Sequence, residues 1–110
     1  VLNKHVVALE GLEGTDAMID RVKGLRETGK VFERGRAGVV VKCSKPQQDL
    51  RVDMPTIGPG TVERAVSARL AGIGIEAGRV IVVDRETTLR MADEAGLFIV
   101  ARSAAAEGRT

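Results

Sequence analysis

GVVVKCSKPQQDLRVDMPTIGPGTVE, residues 38–63, holds a strand, a polar exit segment and the opening of a helix in one continuous stretch. Gly38 to Lys42 is β-branched without alternation of apolar and polar residues, which predicts a strand buried on both faces. Pro46 lacks an amide hydrogen and should end regular strand pairing. Pro59 is placed for the first turn of the next helix, whose apolar stripe is Val62, Ala65, Val66 and Leu70. A connection between strand and helix ordinarily takes about 2–6 residues. This one is far longer and is crowded with lysine, arginine, aspartate and glutamine.

On the amino-terminal side, His5 to Glu10 reads as a strand, followed by a loop punctuated by Gly11 and Gly14. A helix is expected from Thr15-Asp16, with Met18, Val22 and Leu25 at helical spacing and Ile19 alongside. Thr15 is the expected N-cap, Asp16 suits the positive end of the helix, and Gly29 closes it. On the carboxy-terminal side, Ile73 to Glu76, the turn Ala77-Gly78 and Val80 to Val83 predict a hairpin. Asp84 is the expected cap of a third helix ending at Gly96, and Leu97 to Ala101 is the last strand.

Helical crossovers demand parallel neighbours and a hairpin demands an antiparallel pair. The expected architecture is therefore an α/β fold, a single domain over residues 1–102. It has a mixed β-sheet with about three helices, built of βα units plus one hairpin. Residues 103–110 carry no packing signal and are expected to form a frayed tail. Val1 to Val7 reads as the end of one strand, a turn and the start of another, which suggests sequence upstream. Residues 1–28 and 75–95 echo each other weakly, as short βα units do in any case.

The 110 residues suffice for one domain, and their 44% hydrophobic and 29% charged content is that of a globular chain. Net charge is +2 and the aromatics are Phe32 and Phe98 alone, so stacking platforms for nucleic acid are lacking. No run reaches the length of a membrane span and no signal-peptide pattern is present. Cys43 is the single cysteine and cannot form an internal disulfide, which fits a reducing compartment such as the cytoplasm.

Chemistry concentrates in the exit segment. In an extended chain, Asp49, Arg51 and Asp53 share one face over about 13 Å. Two carboxylates flanking a guanidinium, with Lys42 and Lys45 nearby, suit a pyrophosphate and a divalent cation. A charged edge strand whose ions pair with one another is the plainer reading. The position favours the first, since open α/β sheets bind ligands beyond their strands' carboxyl ends. A second set, Glu10, Glu13, Thr15 and Asp16, also follows a strand and opens a helix. Were the two strands neighbours, Glu13, Asp16, Asp49 and Asp53 would gather at one end of the sheet. Thr56 to Thr61 is a third helix opening, equally readable as turn chemistry.

Other chemistries fit poorly. A catalytic triad would have to use His5, the only histidine, and zinc lacks His and Cys ligands. Glu76 and Asp84 read as turn or cap residues without chemistry.

EGTD (13–16), KCSKPQQDLRVDMPTIG (42–58), GIGIEAGR (72–79) and GLF (96–98) together resemble the carboxy-terminal half of LpxI-type UDP-2,3-diacylglucosamine pyrophosphatases, once catalogued as a domain of unknown function. The resemblance runs to Val100. It implies magnesium-dependent hydrolysis, with manganese as a substitute, of the diphosphate of UDP-2,3-diacylglucosamine to UMP and lipid X in lipid A biosynthesis. It implies work in the cytoplasm of Gram-negative bacteria, at the inner membrane surface. Carried over by motif, Asp53 is the essential catalytic or metal-binding carboxylate, with Asp49 as the second catalytic acid. Lys42, Lys45, Gln48, Arg51, Thr15 and Thr56 become phosphate-binding residues, and Asp53, Asp16 and Glu13 the metal ligands. The implied partners are the UDP-lipid substrate, an amino-terminal domain absent from this chain and the membrane surface transiently; homo-oligomerisation, a second copy of the chain, is left open. Family members carry that additional domain, so activity of the fragment alone is left open. Gly60 stands where a more polar residue is expected. A non-catalytic nucleotide-binding or domain-pairing module is the alternative, and a purely structural module the third.

Overall fold

The computed structural model describes residues 1, 8, 14–28, 35–44 and 55–103. In chain order these form α1 (Thr15–Glu27), β1 (Val39–Lys42), β2 (Thr56–Ile57), α2 (Pro59–Ser67), β3 (Gly72–Glu76), β4 (Ile81–Val82), α3 (Arg85–Ala95) and β5 (Phe98–Arg102). Three strands make one sheet in the order β1-β3-β5, both pairs parallel. β2 and β4 form a second, two-stranded parallel sheet. Three helices and parallel strands give the α/β domain that the sequence implies. The expected first strand, the Gly29 helix end and the tail fall largely or wholly outside the described residues.

Residue alternation along the strands sorts the larger sheet into two faces. One face presents Val40, Ile73, Ile75 and Ile99 to a core that also takes Ile19 from α1, Val62 and Ala65 from α2, and Ala92 from α3. The other carries Val39, Val41, Gly72, Gly74, Phe98 and Val100, none of which joins that core. Val41 is 59% exposed and Phe98 48%. Burial of β1 on both faces, expected from its β-branched run, is therefore corrected. Those residues follow strand propensity, and the described helices pack one face only. Phe98 sits in register with Gly72, where a β-carbon would run into the phenyl ring.

The hairpin is also corrected. Its turn exists, with Gly78 at φ 76° and Arg79 N–H donating to Glu76 C=O at 3.2 Å. The chain then leaves β3, because β1 and β5 already occupy both of its edges. Ile81 and Val82 pair instead with Thr56 and Ile57. Every pairing between described strands is parallel. Val1 exchanges two backbone bonds with Val39, at 2.7 and 2.8 Å, the reciprocal pattern of an antiparallel pair. A strand, a two-residue strand, a helix and a strand thus occur twice, as β1-β2-α2-β3 and β3-β4-α3-β5.

α1 is tied down at both ends. At its last turn, Arg26 donates to the carbonyls of Gly35 (2.7 Å), Arg69 (2.9 Å) and Ala37 (3.2 Å), in the segments that lead into β1 and β3. Arg69 adopts a left-handed φ of 60°, and its carbonyl also receives the Ala37 N–H at 2.9 Å. The first turn of α1 lies at the opposite edge of the sheet, where β1 ends.

Candidate functional site

The parallel strands deliver Lys42, Glu76 and Arg102 to the carboxyl edge of the larger sheet. Lys42 closes β1. Its half-buried ammonium donates to Thr15 Oγ1 at 3.0 Å, joining the strand end to the first residue of α1. Thr15 is not the N-cap. Gly14 takes that place with φ 90°, a conformation that penalises a side chain, and no side chain caps the helix.

Asp16 lies one residue further on and is exposed. It faces Arg64 of α2 at 3.4 Å, and Asp20, one turn later, meets the same guanidinium. Arg64 was not singled out in the sequence, because its spacing to Asp16 carries no local signature. Thr56 is exposed on β2, opposite Ile81 in register. Thr61, not a residue before the helix, satisfies the start of α2, its Oγ1 accepting the Gly58 N–H at 3.1 Å. Gly60 lies in the exposed first turn of α2.

Of the candidate residues, then, Lys42 and Thr15 are brought together, Asp16 is turned to Arg64, and Thr56 stands on the second sheet. Asp53, Asp49, Lys45, Gln48, Arg51 and Glu13 lie outside the described residues. Among the described residues no group of three metal-ligating side chains gathers.

Glu76 is the residue whose importance the sequence hid. Its side chain is only 11% exposed at the end of the central strand. Ser44 donates to Glu76 Oε1 from both its backbone N–H and its hydroxyl, each at 3.0 Å. Oε2 lies 3.9 Å from Arg79 Nε. A groove of about 300 Å³ between α2 and α3, lined by Val62, Glu63, Val66, Met91, Glu94 and Ala95, contains none of the candidate residues.

Comparison with known proteins places this geometry. The family model for the LpxI C-terminal domain matches residues 1–100. The UDP-2,3-diacylglucosamine pyrophosphatase LpxI of Caulobacter vibrioides is 52% identical over 95 residues, covering 86% of this chain and 34% of that protein. The chain therefore spans about a third of the length of this curated relative.

Proposed function

The chain belongs to the LpxI family as its C-terminal domain, and from that premise we propose that the full-length protein hydrolyses the diphosphate of UDP-2,3-diacylglucosamine. Water adds to one phosphorus, the P–O–P bridge breaks, and UMP and 2,3-diacylglucosamine 1-phosphate leave. The observation that carries the reading is the 3.0 Å contact between Lys42 and Thr15 at the carboxyl edge of a parallel sheet. An ammonium has three N–H donors. One is taken by Thr15, which aims the group, and the others suit the oxygens of a diphosphate. Positive charge at that point offsets the negative charge that develops on the leaving phosphate.

Magnesium is part of the proposal, with manganese as a substitute. Asp53, Asp16 and Glu13 offer the hard oxygen donors that it prefers, and bound there it would polarise a phosphoryl oxygen. Of these three, Asp16 alone lies among the described residues. Asp16 meets Arg64 through Oδ2, so it would serve either with its other oxygen or by leaving Arg64. An exposed pair of this kind holds by about 0–1 kcal/mol, a small barrier to that exchange. Asp49 and Asp53 are proposed as the catalytic acids. Lys45, Gln48, Arg51 and Thr56 are proposed to hold phosphate beside Lys42 and Thr15. The remaining two-thirds of a full-length protein would supply the other wall of the site, and the work is proposed for the cytoplasmic surface of the inner membrane.

The test is UMP release from UDP-2,3-diacylglucosamine by full-length protein, with and without magnesium, alongside Asp53→Ala. Magnesium-dependent turnover lost in the variant is expected. Normal turnover in Asp53→Ala would remove that residue from the chemistry. Nucleotide binding without any UMP release would favour a non-catalytic binding module.

A further inference from the structure

Glu76 sits on the central strand, the most constrained element of the sheet, flanked by β1 and β5. Its Oε1 accepts two bonds from one residue, which fixes both the backbone direction and the side-chain rotamer of Ser44. Ser44 lies two residues beyond Lys42 and immediately before Lys45, at the point where the chain leaves the sheet. Lys42 is itself held by Thr15. The exit is thus fixed at two points, once to α1 and once to β3.

We propose that Glu76 is a positioning residue for the hydrolytic site, acting through Ser44 to fix the end of β1 that carries Lys42. The inference rests on the hydrolase reading for its kinetic consequence, but the latch itself is a separate physical claim. A nearly buried carboxylate serving only to stabilise the fold would meet any donor within reach. This one takes both donors of Ser44, two residues beyond Lys42. A misplacement of about 1 Å in a reacting group can cost about a hundredfold in rate. Arg79 contributes little, since it is mostly exposed and sits at the outer limit of ion-pair distance.

The experiment uses full-length protein with Glu76→Ala, Glu76→Gln and Ser44→Ala. Glutamine keeps an acceptor oxygen for Ser44, so its kcat should stay within about threefold of the parent, whereas alanine should lose about tenfold or more with KM little changed. Ser44→Ala keeps the N–H donor and should lose an intermediate amount. Amide exchange of peptides spanning residues 43–55 should quicken in Glu76→Ala and not in Glu76→Gln. A kcat unchanged in Glu76→Ala, a loss confined to KM, or a glutamine variant as impaired as alanine would each overturn the proposal. Should Glu76→Ala fail to fold, unaltered kcat and exchange in Ser44→Ala would do the same. If the parent protein releases no UMP, the hydrolase reading fails, and the exchange measurement still decides whether the latch exists.

Discussion

Removing the Arg26 guanidinium tests how α1 is held. Arg26→Ala deletes, among others, the bonds to Gly35, Arg69 and Ala37, of which only the last is partly buried. Hydrogen bonds from charged groups contribute about 1.5–3 kcal/mol when shielded and a fraction of that in water. Taking about 1.5 kcal/mol for Ala37 and about 0.5 for each exposed carbonyl gives a loss of roughly 2.5 kcal/mol. Urea unfolding of a small domain has a slope of about 1–3 kcal/mol per molar, so the midpoint should fall by roughly 0.8–2.5 M. Arg26→Lys should recover little, because one ammonium cannot reach three carbonyls that a planar fork spans. The same loss should loosen the first turn of α1, since a helix of 13 residues transmits tilt from one end to the other. The assay is equilibrium urea unfolding followed by far-ultraviolet circular dichroism. A midpoint within about 0.1 M of the parent would refute the clamp, a shift of that size being smaller than any one of its bonds implies.

Three further outcomes are expected. Gly24 is interior to α1, and a β-carbon there meets nothing within 4 Å. Gly24→Ala should therefore stabilise by about 1 kcal/mol and raise Tm by roughly 4 °C in calorimetry. Thr88 is fully buried and donates Oγ1–H to Val83 C=O at 2.7 Å, so Thr88→Val, which keeps the shape, should cost about 1 kcal/mol in urea unfolding. Lys42→Met should keep the packing of β1 while lowering kcat/KM of full-length protein by about tenfold or more, read as UMP release. Unchanged kinetics would detach Lys42 from the diphosphate.

Local signals were legible in the sequence and distant ones were not. The first two helices could be read from apolar spacing, and helix ends from signals such as Pro59 at the start of α2 and Gly96 at the end of α3, which act within a few residues. The turn at Gly78 was legible for the same reason. Where β4 went afterwards was not, because a strand's partner depends on which edges are free, and β3 had none left. The meeting of Lys42 with Thr15 was not legible, since Thr15 read as the helix cap and its partner lies 27 residues away. Glu76 looked like a turn residue because its partner, Ser44, lies across the sheet. Asp16 looked like a ligand or cap because Arg64 belongs to another helix. In each case the deciding contact spans a distance in the chain that periodicity cannot register.

Among the described residues, Val39 pairs with Gly72, Gly72 with Phe98 and Thr56 with Ile81, so no strand finds its partner next along the chain. Such a topology has no zipper to start from. Each ladder must close a loop of roughly 25 residues or more before its first bond forms, and the entropy of closure is lost before contacts compensate. Refolding should be slow beside that of helical bundles of equal length, with a rate more sensitive to lengthening the crossover between β1 and β3 than to the propensity of any single helix.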